Sequence, residues 1–106
     1  IYPILDAIAA TGPDGLNPIE PAAGMSLAET RRRVGPELCL VGNIDCGTLL
    51  CSGTPEEVRA AVRQAVAEGS AGGPFMLSSS NSIHSSVRPE NLLAMVDEAV
   101  GQPDPP

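Results

Sequence analysis

Leu38-Cys39-Leu40-Val41-Gly42-Asn43-Ile44-Asp45, followed after a short loop by Thr54-Pro55-Glu56-Glu57-Val58, decides how this chain folds. The first stretch is almost wholly apolar until its last residues, which is how a strand covered on both faces of a parallel sheet reads. The second is a helix start, with a Thr cap, a Pro in the first turn and a Glu three residues after the cap. Val58, Ala61, Val62, Ala65 and Val66 then recur at helical spacing and form one apolar stripe. Gly69 is expected to end that helix. A buried strand feeding an amphipathic helix is a βα unit.

The same unit recurs on both sides. Upstream, Ile4, Leu5 and Ile8 predict a helix that ends before Gly12. Asp14 to Pro21 is too rich in proline for a helix and reads as an extended segment ending in a polar loop. Ser26 and Glu29 form a capping box for a helix that should stop at Gly35-Pro36. Arg31-Arg32-Arg33 reads as the solvated end of that helix, where cations suit the dipole. Downstream, Pro74 to Leu77 predicts another buried strand. Pro89 then opens a last helix with Leu92, Leu93, Val96, Ala99 and Val100 on one side and Gly101 past its end. The order α-β-α-β-α-β-α implies an α/β fold with a parallel sheet of about three strands and flanking helices. Such a sheet has two open edges, so it reads as part of a larger architecture.

Composition narrows the function. The chain has 106 residues, enough for one small domain, and a net charge of −7 with six arginines and no lysine. Only Tyr2 and Phe75 are aromatic. Neither a basic groove nor a base-stacking platform can be built from this, so nucleic acid and anionic membranes are not expected partners. No apolar run reaches the roughly 20 residues of a membrane span. Three cysteines cannot all pair, and no signal peptide is visible, so a reducing, cytoplasmic setting is expected. The start Ile1-Tyr2-Pro3, without Met, suggests processing or a piece of a longer chain. Cys39 reads as a small buried hydrophobe. Cys46, Cys51 and His84 can be written down as a metal set, but their spacing matches no standard zinc site. They read as ordinary thiols and a histidine, and no metal is expected.

Polar residues gather after each predicted strand: Asn17 and Glu20 after the first, Asn43 and Asp45 after the second, Asn81, Ser82 and His84 after the third. In parallel α/β folds, the loops after the carboxyl ends of the strands form the active face. Asn81 and His84 are therefore the candidate catalytic residues. Asn17, Glu20, Asn43 and Asp45 are the candidates for binding a polar small molecule. Local roles compete with these. Asn17 and Asn43 suit loops that bond their own backbone, Asp45 suits the cap of a turn from Cys46 to Leu50, and His84 suits a surface histidine. Ser78 to Ser80 lacks the setting of a nucleophilic serine.

Five stretches occur in an order that resembles one family. They are Asp14-Gly15-Leu16-Asn17-Pro18-Ile19-Glu20-Pro21, Gly24-Met25-Ser26-Leu27, Leu40-Val41-Gly42-Asn43-Ile44-Asp45, Gly53-Thr54-Pro55-Glu56-Glu57-Val58 and Pro89-Glu90-Asn91-Leu92-Leu93-Ala94-Met95. Together they look like the carboxyl-terminal third of the uroporphyrinogen decarboxylase superfamily, which also holds corrinoid- and coenzyme M-linked methyltransferases. The resemblance implies a partial (βα)8, or TIM, barrel over residues 1–101, with a disordered tail at 102–106. It implies a carboxy-lyase that acts on a porphyrinogen in tetrapyrrole and heme biosynthesis and needs no cofactor. Where decarboxylases usually carry a His and the zinc methyltransferases a Cys, this chain has Asn81. The family's Arg-rich substrate motif and its central Asp fall outside these 106 residues. The chain alone is thus expected to be inactive. It should associate, as a homodimer or with an upstream barrel part. The alternatives are a corrinoid-dependent methyltransferase relative, or a non-catalytic half-barrel that associates with itself.

Overall fold

Eight elements follow one another in a computed structural model that describes residues 2–21 and 24–101. They are α1 (Tyr2–Ala10), β1 (Gly15–Ile19), α2 (Leu27–Val34), β2 (Cys39–Ile44), α3 (Leu49–Ser52), α4 (Pro55–Ser70), β3 (Phe75–Ser79) and α5 (Pro89–Val100). The expected alternation is present, with α3 as one added turn between β2 and α4. The tail at 102–106, expected to be disordered, lies outside the described residues.

The sheet is parallel in the order β1-β2-β3. In β2 and β3, Leu40 stands beside Phe75, Gly42 beside Leu77 and Ile44 beside Ser79. The β1–β2 register shifts between Leu16 and Ile19. That is where Pro18, which has no N–H to donate, interrupts the ladder. α1 packs on α2, α2 on α4 and α4 on α5, so the helices form one contiguous layer. The molecule is accordingly thin, 39 × 30 × 17 Å, as one sheet under one row of helices must be.

The single helix layer corrects the expectation that the strands are covered on both faces. β2 alternates between buried and half-buried residues. Leu40 and Ile44 lie under the helices, whereas Cys39 and Val41 fall on the other side. Cys39 is therefore half-buried and Cys46 is the buried cysteine. On β3, Met76 is 60% exposed. A doubly wound sheet would have helices on both sides. Helices on one side of a sequentially ordered parallel sheet make a segment of a (βα) barrel, whose uncovered face is the barrel interior.

Local sequence explains the helices. Thr54 and Glu57 close both halves of the capping box: Glu57 N–H donates to Thr54 Oγ1 (3.2 Å) and Thr54 N–H to Glu57 Oε1 (3.0 Å). Val58, Val62 and Ala65 are buried, as the stripe predicts. Gly69 does not end α4 but sits buried inside its last turn, where a Cβ would collide with the Phe75 ring. Ser26 Oγ caps α2 by accepting from Glu29 N–H (3.1 Å), and the Glu29 carboxylate pairs with Arg32 and Arg33. Those two guanidiniums hold the Glu29 carboxyl below its ordinary range. The contribution of this cluster is present at neutral pH and is lost as pH falls through that lowered value.

Two expectations change. Arg31 is not a solvated helix end: it is 8% exposed, and its guanidinium donates to the carbonyls of Gly35 (3.0 Å), Leu38 (2.6 Å), Gly69 (3.4 Å) and Pro74 (2.5 Å). Burial pulls its pKa down, yet a guanidinium remains charged. On α5 the core face is Asn91, Ala94 and Met95, while Leu93, Val96 and Val100 point outward. The reason is Asn91, whose Nδ2 donates to the carbonyls of Leu50 (3.0 Å) and Gly53 (2.9 Å) and so locks that side of the helix onto α3.

Val62 is fully buried. Val62→Asp places an unpaired charge under the sheet and should abolish the cooperative urea transition. Arg31→Ala leaves several buried carbonyls without a donor and should cost about 3 kcal/mol or more in the same measurement. Arg31→Lys, with its point-like charge, should recover only part of that loss.

Candidate active site

Because the strands are parallel and in step, their carboxyl ends share one edge of the sheet. Glu20 follows β1, Asp45 follows β2, and Asn81 and His84 follow β3. All four line one cavity of about 460 Å³, with Cys46, Gly47 and Ser82 completing the wall. Glu20 and Asp45 are half-buried, and Asn81 and His84 are exposed.

Local bonds place each side chain. Asp45 Oδ1 accepts from Gly47 N–H (3.0 Å) and Oδ2 from Leu49 N–H (3.4 Å), while its carbonyl accepts from Leu50 N–H (3.1 Å). Asp45 thus does cap the turn into α3, and it also borders the cavity. A carboxylate offers about four acceptor positions, so the cap leaves lone pairs for a ligand. Asn81 Oδ1 accepts from Ser82 N–H (2.8 Å), and the Asn81 carbonyl accepts from Ser79 Oγ (2.5 Å). With the amide oxygen engaged, Asn81 has its NH2 to offer a ligand. His84 Nδ1 accepts from Ser86 N–H (3.3 Å), and Nε2 lies 3.9 Å from Cys51 Sγ.

The remaining candidates lie elsewhere. Asn17 falls inside β1 and is exposed, away from the cavity, because the strand runs through to Ile19. Asn43 is half-buried near the end of β2 and borders a second cavity of about 290 Å³, toward α2 and α4, which Asp45 also touches. Geometry therefore joins Glu20, Asp45, Asn81 and His84 and leaves Asn17 and Asn43 apart from them.

Sequence reasoning missed the residue that ties two of the loops together. Ser80 is 1% exposed, and its Oγ accepts from Cys46 N–H (3.2 Å). Its own N–H donates to the Ile44 carbonyl (2.7 Å). Nothing separates Ser80 from Ser78 and Ser79 in the sequence, because only the pairing of β2 with β3 gives it a partner. The Cys51–His84 contact was foreseeable only as a listing of thiols and one imidazole. Cys51 Sγ also donates to the Cys46 carbonyl (3.2 Å), and Cys46 Sγ lies 3.7 Å from Ser80 Oγ. Among the described residues no three of His, Cys, Asp or Glu converge closely enough to hold a metal ion.

The chemistry of the lining is acidic. Among the described residues it carries two carboxylates, one amide and one imidazole, and no arginine. Arg59 and Arg63 are spent on the outer surface, bridging α4 to Asp97 (2.8 Å) and Glu98 (3.1 Å) of α5. Such a lip accepts N–H donors, orients a carboxyl through an amide and moves a proton through the imidazole.

A family model described as uroporphyrinogen decarboxylase (URO-D) matches residues 1–101. The uroporphyrinogen decarboxylase of Thioalkalivibrio sulfidiphilus is 36% identical over 94 residues, covering 89% of this chain and 25% of that protein. That of Alkalilimnicola ehrlichii is 37% identical over 105 residues, covering 95% and 26%. Among solved structures, a methyltransferase from Methanosarcina mazei superposes with a TM-score of 0.80 at 26% identity, over 94% of this chain and 28% of that one. The chain thus spans about a quarter of the length of the curated relatives it matches.

The two polar residues of the lip should separate on substitution. Asn81 is exposed, so Asn81→Ala should change stability by no more than about 0.5 kcal/mol. Asp45→Ala strips the cap from Gly47 and Leu49 and should cost about 1 kcal/mol. Urea denaturation of the two variants checks this; an equal loss in both would make Asn81 structural.

Proposed function

The chain belongs to the uroporphyrinogen decarboxylase family, and from that premise we propose that it forms part of the active lip of a barrel that decarboxylates a porphyrinogen. The reading rests on one observation: Glu20, Asp45, Asn81 and His84 meet in a single cavity at the carboxyl ends of three parallel strands. In this reading Glu20 and Asp45 accept hydrogen bonds from pyrrole N–H groups. Asn81 donates its NH2 to the departing carboxylate. As carbon dioxide leaves, the electron pair of the broken C–C bond remains on the methylene carbon, and that carbon takes a proton to become a methyl group. His84 is the group on this lip that can hold and deliver that proton. No cofactor enters the scheme.

The substrate's carboxylates need cations, and this lip has none to give. They would be held by the portion of the barrel that lies beyond this chain, where the family's Arg-rich motif belongs. The open side of the structure suits such a completion. On α5, Asp97 and Glu98 pair with arginines of α4, while Leu93, Val96 and Val100 are exposed. Another βα unit or a second copy would cover these apolar side chains. The three thiols are free, which agrees with a cytoplasmic setting, and among the described residues no helix is long and apolar enough to cross a membrane.

The methyltransferase reading has one observation in its favour, the fold shared with the Methanosarcina mazei protein. It calls for zinc held by His and Cys. The donors here do not fit: Cys51 and His84 approach each other, Cys46 is buried against Ser80, and an amide stands at Asn81. No step is derived through a metal.

A chimera tests the proposal. This segment replaces the matching quarter of the Thioalkalivibrio sulfidiphilus decarboxylase, and coproporphyrinogen formation is followed by chromatography of the oxidised porphyrins. The folded chimera should be active. His84→Ala in it should lower the rate by about a hundredfold, in the range lost with a general acid. A folded, inactive chimera, or an unaffected His84→Ala, overturns the reading. Sedimentation velocity of the 106-residue chain addresses its open flank. Association is expected, and Leu93→Glu should weaken it; a monomeric parent chain contradicts this part.

A further inference from the structure

We propose that Cys51 is a positioning residue for His84, acting together with the Ser86 N–H to hold the imidazole in the tautomer that carries its proton on Nε2. The inference rests on the reading that His84 works at this lip, and it adds the neutral state in which the ring rests before it takes up from solvent the second proton that it then delivers.

Three directed bonds carry it. Ser86 N–H points at His84 Nδ1 (3.3 Å), and a backbone N–H can only donate, so Nδ1 is the unprotonated nitrogen. The proton of the neutral ring is then on Nε2, which faces Cys51 Sγ at 3.9 Å. The Cys51 thiol spends its own hydrogen on the Cys46 carbonyl (3.2 Å), which leaves a sulfur lone pair for Nε2–H. Each donor in the series has one acceptor, and reversing the ring would put two hydrogens face to face at Nδ1. Both ends of the series are anchored. Cys46 is buried and its N–H is held by Ser80, and Cys51 lies on α3, whose carbonyls at Leu50 and Gly53 are held by Asn91.

Sulfur is a weak acceptor, and 3.9 Å is a long contact. Cys51 therefore parks the Nε2 proton without competing with a ligand oxygen. A carboxylate that reaches Nε2 displaces the sulfur and finds the proton already on that nitrogen. Asp45 and Glu20 border the same cavity as His84.

His84 is the only histidine in the chain, so its ring nitrogens give one unambiguous signal set in a long-range proton–nitrogen spectrum of the 106-residue protein. At alkaline pH the parent should show the pattern of the Nε2–H tautomer, with an observable Nε2 proton. In Cys51→Ala that proton signal should be lost to exchange with water and the two nitrogen shifts should converge. Cys51→Ser, which restores an acceptor, should recover both. A parent spectrum of the Nδ1–H form, or an unchanged Nε2 proton in Cys51→Ala, overturns the proposal. Should Cys51→Ala fail to fold, the parent tautomer and the Cys51→Ser spectrum still decide it. These spectra are independent of turnover: if the chimera is inactive while they behave as expected, only the decarboxylase reading falls.

Discussion

Four carbonyl oxygens from four separate stretches of chain converge on one buried guanidinium, and the layout of the sheet depends on it. Arg31 reaches Gly35 at the end of α2, Leu38 at the entry to β2, Gly69 in the last turn of α4 and Pro74 at the entry to β3. Two of these lie at helix carboxyl ends, where unpaired carbonyls concentrate partial negative charge. The cation therefore sits where two helix dipoles end and two strands begin. Even the space is prepared, since a Cβ on Gly73 would fall against the guanidinium. By fixing where β2 and β3 start, Arg31 sets their common register, and with it the level at which both strands finish.

That register divides the molecule into two ends with different chemistry. At the amino-terminal ends of the strands, the polar groups are consumed in holding the fold. At the carboxyl ends, Ser80 and Asn91 perform the equivalent task for the loops, Ser80 tying the β3 loop to Cys46 and Asn91 tying α5 to α3. Both are fully buried, and both bond mainly to backbone. Loops held this way present Asp45, Asn81 and His84, whose side chains each also accept a nearby backbone N–H. Barrel enzymes share this separation of a stabilising end from a reactive one, which lets the lip vary while the scaffold persists.

What was legible in the sequence was local. The Thr54–Glu57 box, the Val58–Val62–Ala65 stripe and the glycine stop of α2 are set by neighbours within a turn or two, and each is found as read. What was not legible is set by distant chain. Arg31 looks like its neighbours Arg32 and Arg33, and only the arrival of Gly69 and Pro74 makes it a buried hub. Leu92, Leu93, Val96, Ala99 and Val100 read as one apolar side of the last helix, yet the side carrying Asn91, Ala94 and Met95 is the buried one. The half-open face of β2 was hidden for the same reason: an apolar strand reads alike whether it is covered by helices or awaits the rest of a barrel. At the lip, position after a strand was enough to bring Glu20, Asp45, Asn81 and His84 around one cavity, whereas Asn17 lies apart because β1 extends past it.

The acidity of the lip bears on how a polyanion would be handled. In the proposed reading, two carboxylates on one wall would repel the acidic side chains of a porphyrinogen and attract its pyrrole N–H groups. A ring entering between this wall and a cationic one therefore has a single favourable orientation, nitrogens toward Glu20 and Asp45 and carboxylates toward the opposite side. Orientation by repulsion as well as attraction is a specificity device that neither wall has alone.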